Sequence, residues 1–279
     1  MTPIYSSDDS QLSFRETGTG LPVVFLHPTP VNGDFWQPLL DRIDRPGKLR
    51  ALVPDLRGHG RSELGTRLPA GAFARVPDAP VLSTGQLASD VLALLDRVNL
   101  KKAVFVGCSI GGYVLLELWR RAPERMLGLG FICSKPQPDA EANFVKREEV
   151  IAQARAGNLD ALLDGMAQGL VSSGTRERHP QVVAGLRAQM TITAEGMVAV
   201  QAGLGARPDS VPTVSSIAAP VLAIAGGEDA AVSPVEMEAF CAAPGGCTYH
   251  VLADAGHAAA YEQPERVAAI AGEWLRQFA

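Results

Sequence analysis

Five residues, Gly107-Cys108-Ser109-Ile110-Gly111, constrain this chain more than any other segment. They follow an apolar run, Ala103-Val104-Phe105-Val106, and lead into a helix-like stretch over residues 112–121. A chain that turns from strand to helix this sharply holds its central residue at φ > 0, a strain of about 1–3 kcal/mol. Side chains two positions before and after the centre would collide across the turn, so those positions must be small. Gly107 and Gly111 occupy them around Ser109, and Gly112 adds room. Centring the turn on Cys108 would put Val106 and Ile110 at the tight places. The spacing therefore makes Ser109 the exposed residue at the tip and turns Cys108 inward.

The rest of the chain alternates short apolar runs with longer amphipathic ones. Residues 21–27, 49–55, 103–107, 126–133, 220–225 and 248–252 read as strands. Residues 35–43, 86–98, 112–121, 234–242 and 264–278 read as helices, with Leu87, Val91, Leu94, Leu95 and Val98 at helical spacing. Such alternation implies a mainly parallel sheet with helices on both faces. Residues 135–213 break the rhythm, with helical stretches at 143–156, 159–170, 181–190 and 196–204 and no convincing strand between them. They read as a cap over the strand ends, where ligands of open α/β sheets bind, or as a helical subdomain with no part in a site. The Pro-rich stretch 63–83 lacks periodicity and reads as an irregular loop.

A serine hydroxyl becomes a useful nucleophile when a base takes its proton. His257, in Asp254-Ala255-Gly256-His257 after the last strand, is the candidate base. His250 falls within that strand, His59 within an Arg-Gly-His-Gly-Arg turn, His27 at the end of an early strand and His179 in the helical interval. The base needs a carboxylate to hold its tautomer and stabilise the imidazolium. Asp229, in Gly226-Gly227-Glu228-Asp229 after another strand, is well placed, with Glu228 as the alternative. The order Ser109, Asp229, His257 is the one expected when a Gly-x-Ser-x-Gly turn lies between strand and helix.

Together with the Ser109 turn and Gly256-His257, two further motifs, His27-Pro28-Thr29-Pro30 and Asp55-Leu56-Arg57-Gly58-His59-Gly60-Arg61-Ser62, make the chain resemble the α/β-hydrolase superfamily. The resemblance runs over nearly the whole length outside the helical interval. Within the superfamily the chain is similar to capped carboxylesterases and 3-oxoadipate enol-lactonases. The resemblance implies an α/β-hydrolase fold: a mostly parallel eight-stranded sheet flanked by helices, with residues 1–134 and 214–279 as core and 135–213 as an inserted helical cap. It also implies an oxyanion hole from the backbone N–H groups of Thr29 and of Ile110, the residue after the nucleophile. The first motif departs from the family's His-Gly-x-Pro in carrying Pro28. Since Pro28 and Pro30 lack an N–H, only His27 and Thr29 can donate from that tetrapeptide. The Asp55–Ser62 motif is a structural turn in the family and receives no catalytic role here. Trp36, Tyr113 and Met166 are candidates for lining a substrate pocket, each also readable as core.

The expected activity is hydrolysis of a small-molecule carboxylic ester or lactone, without a cofactor. Relatives that act as dehalogenases or epoxide hydrolases use Asp where this chain has Ser109. Carbon–carbon bond hydrolysis, perhydrolase chemistry, or a slow-turnover ligand receptor use the same scaffold and remain open as alternatives. The formal net charge of -5 comes with interleaved charges and no Lys/Arg cluster, so neither nucleic acid nor an anionic membrane is an expected partner; a homodimer is left open. The polar N-terminus lacks a signal-like apolar run and a cytoplasmic location is expected. The four cysteines have no metal-ligand spacing and no His-x-x-x-His pair occurs, so no metal site is expected. Cys108 and Cys133 read as buried thiols. Cys241 and Cys247 flank a Pro-Gly-Gly turn and could pair, although reduced thiols are the default in that compartment.

Overall fold

The computed structural model describes residues 3–43 and 49–278. Residues 1, 2, 44–48 and 279, which include the outer ends of the two expected core segments and the start of the polar N-terminus, lie outside them. In chain order the strands are β1 (Ile4–Ser7), β2 (Ser10–Gly18), β3 (Leu21–Leu26), β4 (Leu49–Pro54), β5 (Ala103–Cys108), β6 (Met126–Ile132), β7 (Val221–Gly226) and β8 (Cys247–Leu252). They form one eight-stranded sheet in the order β1-β2-β4-β3-β5-β6-β7-β8. The pairings β1–β2 and β2–β4 are antiparallel and the rest parallel. Every residue of β5 and β7 is buried, as expected of central parallel strands with helices on both faces.

The antiparallel β1–β2 pair is the part of the sheet that hydropathy does not mark. Its inward positions include Ser7, Ser10 and Ser13; the hydroxyls of Ser7 and Ser10 are buried because they are hydrogen-bonded rather than apolar, and Ser13 is tied through its backbone amide. Ser7 Oγ donates to Asp90 Oδ1 at 2.6 Å, and the Ser13 amide donates to Ser62 Oγ at 2.9 Å.

Helices α1 (Gln37–Ile43), α2 (Thr84–Arg97) and α3 (Ile110–Arg121) cover the first half of the sheet. Between β6 and β7 come α4 (Glu141–Arg155), α5 (Leu159–Gly169), α6 (Ser173–Arg178), α7 (Pro180–Ala188), α8 (Ala194–Gly205) and α9 (Val211–Val214), with no strand of the main sheet among them. The last part carries α10 (Pro234–Glu238), α11 (Ala259–Glu262) and α12 (Pro264–Leu275). Helices α6, α9 and α11, of four to six residues, are too short for periodicity to reveal. Among the described residues no helix is long and apolar enough to cross a membrane.

The Asp55–Ser62 motif works as a brace. Asp55 accepts from the amides of Gly33 (2.8 Å) and Arg61 (3.0 Å). Ser62 Oγ donates back to the Asp55 carbonyl at 2.6 Å. Arg57, 1% exposed, makes a two-pronged bond to Asp90 on α2 (2.9 and 2.7 Å) and reaches Asp9 in the β1–β2 turn at 3.1 Å. The end of β4 is thus tied to α2, to the first hairpin and to the loop after β3.

At the end of β5 the chain passes through the turn that the glycine spacing predicts. Ser109 has φ 52° and ψ −116°. A Cβ on Gly107 would collide with the Gly111 carbonyl and lie 2.6 Å from the Gly112 nitrogen, while one on Gly111 would collide with the Leu26 carbonyl at the end of β3. Gly107→Ala should therefore destabilise the fold by about 1–3 kcal/mol, the usual cost of overpacking, and lower the calorimetric melting midpoint by several degrees. An unchanged midpoint would mean that the turn is looser than this packing implies.

Candidate active site

The carboxyl ends of four parallel strands bring the candidate residues together. Thr29 follows β3, Ser109 follows β5, Asp229 follows β7 and His257 follows β8. In register, Leu26 lies beside Gly107, so the loop carrying Thr29 abuts the first turn of α3. Ser109, Asp229 and His257 are each nine-tenths or more buried.

His257 Nδ1 and Asp229 Oδ2 are 2.7 Å apart. The other carboxylate oxygen, Oδ1, accepts from the amides of Ala231 (2.8 Å) and Val232 (3.0 Å). Burial pushes the Asp229 pKa up, but the charge and hydrogen bond of His257 and the two loop amides outweigh it, leaving the carboxyl below its ordinary value. An ionised Asp229 accepts from Nδ1–H, so Nε2 is left as the basic nitrogen. Glu228 faces the other way. Its carboxylate accepts from the amide and hydroxyl of Ser173 at 2.8 and 2.7 Å, so Asp229 and not Glu228 is the carboxylate on His257.

The loop that presents His257 is held from several sides. Glu262 on α11 accepts from the Gly256 amide at 2.7 Å and from Ser172 on the helical stretch. The thiols of Cys108 and Cys133 lie under the loop, 3.8 Å from the His257 carbonyl and 3.6 Å from that of Gly256. Cys108 is fully buried beside Ser109, as the turn spacing requires. Burial foremost, and then the charge of Asp229, push its thiol pKa well up. Ser134 Oγ donates to the Ser109 carbonyl at 2.9 Å, closing the back of the turn. Nothing local in the sequence marks Glu262 or Ser134, because each acts across a long sequence separation.

Among the described residues, Ser109 Oγ, His257 Nε2 and the backbone N–H groups of Thr29 and Ile110 have no hydrogen-bond partner. A hydroxyl, a basic nitrogen and two N–H donors that the protein leaves uncommitted are the groups that acyl transfer requires. The pocket-lining candidates fall in different places. Trp36 is fully buried against Phe25 and Phe35, at ring separations of 5.4 and 5.0 Å, and belongs to the core packing. Tyr113, on the first turn of α3, lies beneath the Arg207 guanidinium at 4.5 Å. Met166 is half-buried on α5. Far from these, the Cys241 and Cys247 sulfurs are 2.7 Å apart as free thiols. No group of three or more metal-ligating side chains occurs among the described residues.

The model of the α/β hydrolase fold family matches residues 22–264. The chain belongs to that family. Among solved structures this α/β hydrolase is similar to a thermophilic esterase from Thermogutta terrifontis, with 30% identity, a TM-score of 0.87 and coverage of 99% of this chain and 98% of that one. It is 27% identical to 3-oxoadipate enol-lactonase 2 of Acinetobacter baylyi over 87% of this chain and 84% of the relative. A non-heme chloroperoxidase of Streptomyces lividans is 34% identical over 50% of this chain and 46% of its own length. The α/β hydrolase thus has esterase, lactonase and haloperoxidase relatives.

Proposed function

We propose that this α/β hydrolase cleaves a carboxylic ester or lactone of a small molecule through a Ser109-His257-Asp229 triad. The observation that carries the reading is the His257–Asp229 hydrogen bond, at the same strand ends that present a serine strained at φ 52°. His257 Nε2 takes the Ser109 proton as Oγ attacks the carbonyl carbon, and the Thr29 and Ile110 N–H groups receive the oxyanion. His257 then passes that proton to the departing alcohol oxygen. A water activated by the same nitrogen attacks the acyl-enzyme, and the acid leaves as Ser109 regains its proton. Each oxyanion donor is worth about 10²–10³ in rate. The free Ser109 hydroxyl is compatible with this scheme, since catalytic hydrogen bonds often tighten when substrate binds.

Residues 135–213 act in this reading as a lid. Contacts from this stretch to the loops after β3, β4, β7 and β8 support it: Thr191 to Asn32, Thr191 to Gly60, Ser173 to Glu228 and Leu170 to Ala258. The esterase and enol-lactonase relatives favour ester and lactone carbonyls over other substrates of the same triad.

A fluorophosphonate probe with peptide mapping tests the nucleophile, run beside a panel of p-nitrophenyl esters of short acids and simple lactones. The expected result is one label, on the peptide containing Ser109, and repeated turnover of at least one ester. Labelling elsewhere would reassign the nucleophile. A single turnover followed by silence would favour a ligand receptor instead.

A further inference from the structure

His59 borders the proposed oxyanion loop and has no part in the scheme above. Its ring is 1% exposed, and each nitrogen meets one oxygen: Nδ1 lies 3.0 Å from the Arg57 carbonyl and Nε2 lies 2.9 Å from Thr29 Oγ1. A carbonyl oxygen can only accept, so Nδ1 carries the ring proton and Nε2 is the acceptor. The Thr29 hydroxyl therefore donates to His59. Its single proton is then committed, and Oγ1 cannot serve as a further donor to an oxyanion. The neighbouring His27 ring, 5.3 Å away, is fixed by the same logic. The Leu56 amide donates to its Nε2 at 2.8 Å, and its Nδ1–H donates to the Pro28 carbonyl at 2.9 Å. Burial, followed by the proximity of His27, pushes the His59 pKa down to about 3, so the wiring persists across the neutral range.

The same turn also receives the helical stretch. The Gly60 amide donates to the Thr191 carbonyl at 3.0 Å, His59 forms a β-bridge with Ile192, and Asn32 Nδ2 donates to Thr191 Oγ1 at 3.2 Å. Thr29 is thus bonded to the His59 ring, while the segment at Thr191–Ile192 is bonded to the backbone of the same turn.

We infer that His59 is a positioning residue for the oxyanion donor: by accepting the Thr29 hydroxyl it sets how the Thr29 backbone N–H faces Ser109. The inference rests on the hydrolase reading above and deepens it. Misplacing a catalytic group by about 1 Å can cost as much as 10²-fold in rate, so the loss should fall on kcat, with substrate binding spared.

Two amide replacements separate this role from simple bracing of the turn. In His59→Asn the side-chain amide can still donate near the Nδ1 position but cannot reach Thr29, whereas in His59→Gln the amide oxygen can accept near the Nε2 position. His59→Asn should lower kcat by about tenfold or more with KM within about twofold, and His59→Gln should recover most of that loss. Thr29→Val should match His59→Asn, and the double variant should be no slower than either alone. Equal losses in the Asn and Gln variants, full activity in His59→Asn, or multiplying effects in the double variant would each overturn the inference. Imidazole ¹⁵N NMR of the wild type and Thr29→Val gives a readout that does not depend on turnover. The His59 Nε2 signal should move when the hydroxyl is removed, and an unmoved signal also overturns the inference. A wild type that turns over no ester while that signal moves would instead count against the hydrolase reading.

Discussion

Ser109→Ala is expected to lower kcat for a p-nitrophenyl ester by several powers of ten, on the order of 10⁶ as in a well-studied serine protease stripped of its nucleophile. The replacement keeps Cβ and removes only Oγ, so the melting midpoint should stay close to that of the wild type and the loss can be assigned to chemistry. Cys108, the neighbouring nucleophilic side chain, cannot substitute. It is fully buried, points at the His257 carbonyl, and its thiol is held protonated by burial and by the charge of Asp229. On the proposed mechanism, residual activity would come from the oxyanion donors and substrate binding alone. Activity within about tenfold of wild type would sink the assignment, because no intact triad tolerates loss of its nucleophile so lightly.

Asp229→Asn should cost up to about 10⁴ in kcat, and the local hydrogen bonds give the reason. Oδ1 of Asp229 accepts from two backbone amides, of Ala231 and Val232. An asparagine at this position must keep its oxygen there, or three N–H donors would face one another. Its NH₂ group then meets His257 Nδ1, which can no longer carry a proton. The ring proton moves to Nε2, and the nitrogen that should accept from Ser109 becomes a donor. Glu228→Gln serves as the comparison. Glu228 is exposed and bound to Ser173 rather than to His257, and surface substitutions usually shift stability by no more than about 0.5 kcal/mol, so the change should leave kcat within about twofold. The reverse outcome, with Glu228→Gln damaging and Asp229→Asn mild, would move the acid to Glu228.

What the sequence makes legible depends on the range of each interaction. Strand–helix alternation recovers β3 to β8 and the long helices to within a few residues, because continuous apolar runs and helical amphipathicity are local properties. The first hairpin escapes it. The hydroxyls of Ser7 and Ser10 are buried by hydrogen bonds with Asp90 and Arg57, and no hydropathy pattern records a buried hydroxyl whose partner is tens of residues away. The Asp55–Ser62 motif is legible as a turn, while the link from His59 to Thr29 is not, since a tautomer is fixed by what each nitrogen meets in space.

The sequence by itself determined the Ser109 turn. Glycines two residues either side of one serine, after an apolar strand, admit a single centring, since steric exclusion across a tight turn acts over a few residues. It also restricted the proposed oxyanion donor, because a proline has no N–H wherever it folds. The tertiary structure decided what stands around that serine. Asp229 and Glu228 are adjacent in the chain, and the loop after β7 turns one toward His257 and the other toward Ser173. Trp36 and Tyr113 look alike as aromatic candidates and both are buried, yet Trp36 packs against Phe25 and Phe35 whereas Tyr113, on the first turn of α3, lies beneath the Arg207 guanidinium. These choices depend on directions of side chains brought together from distant segments, which packing sets and local pattern does not carry.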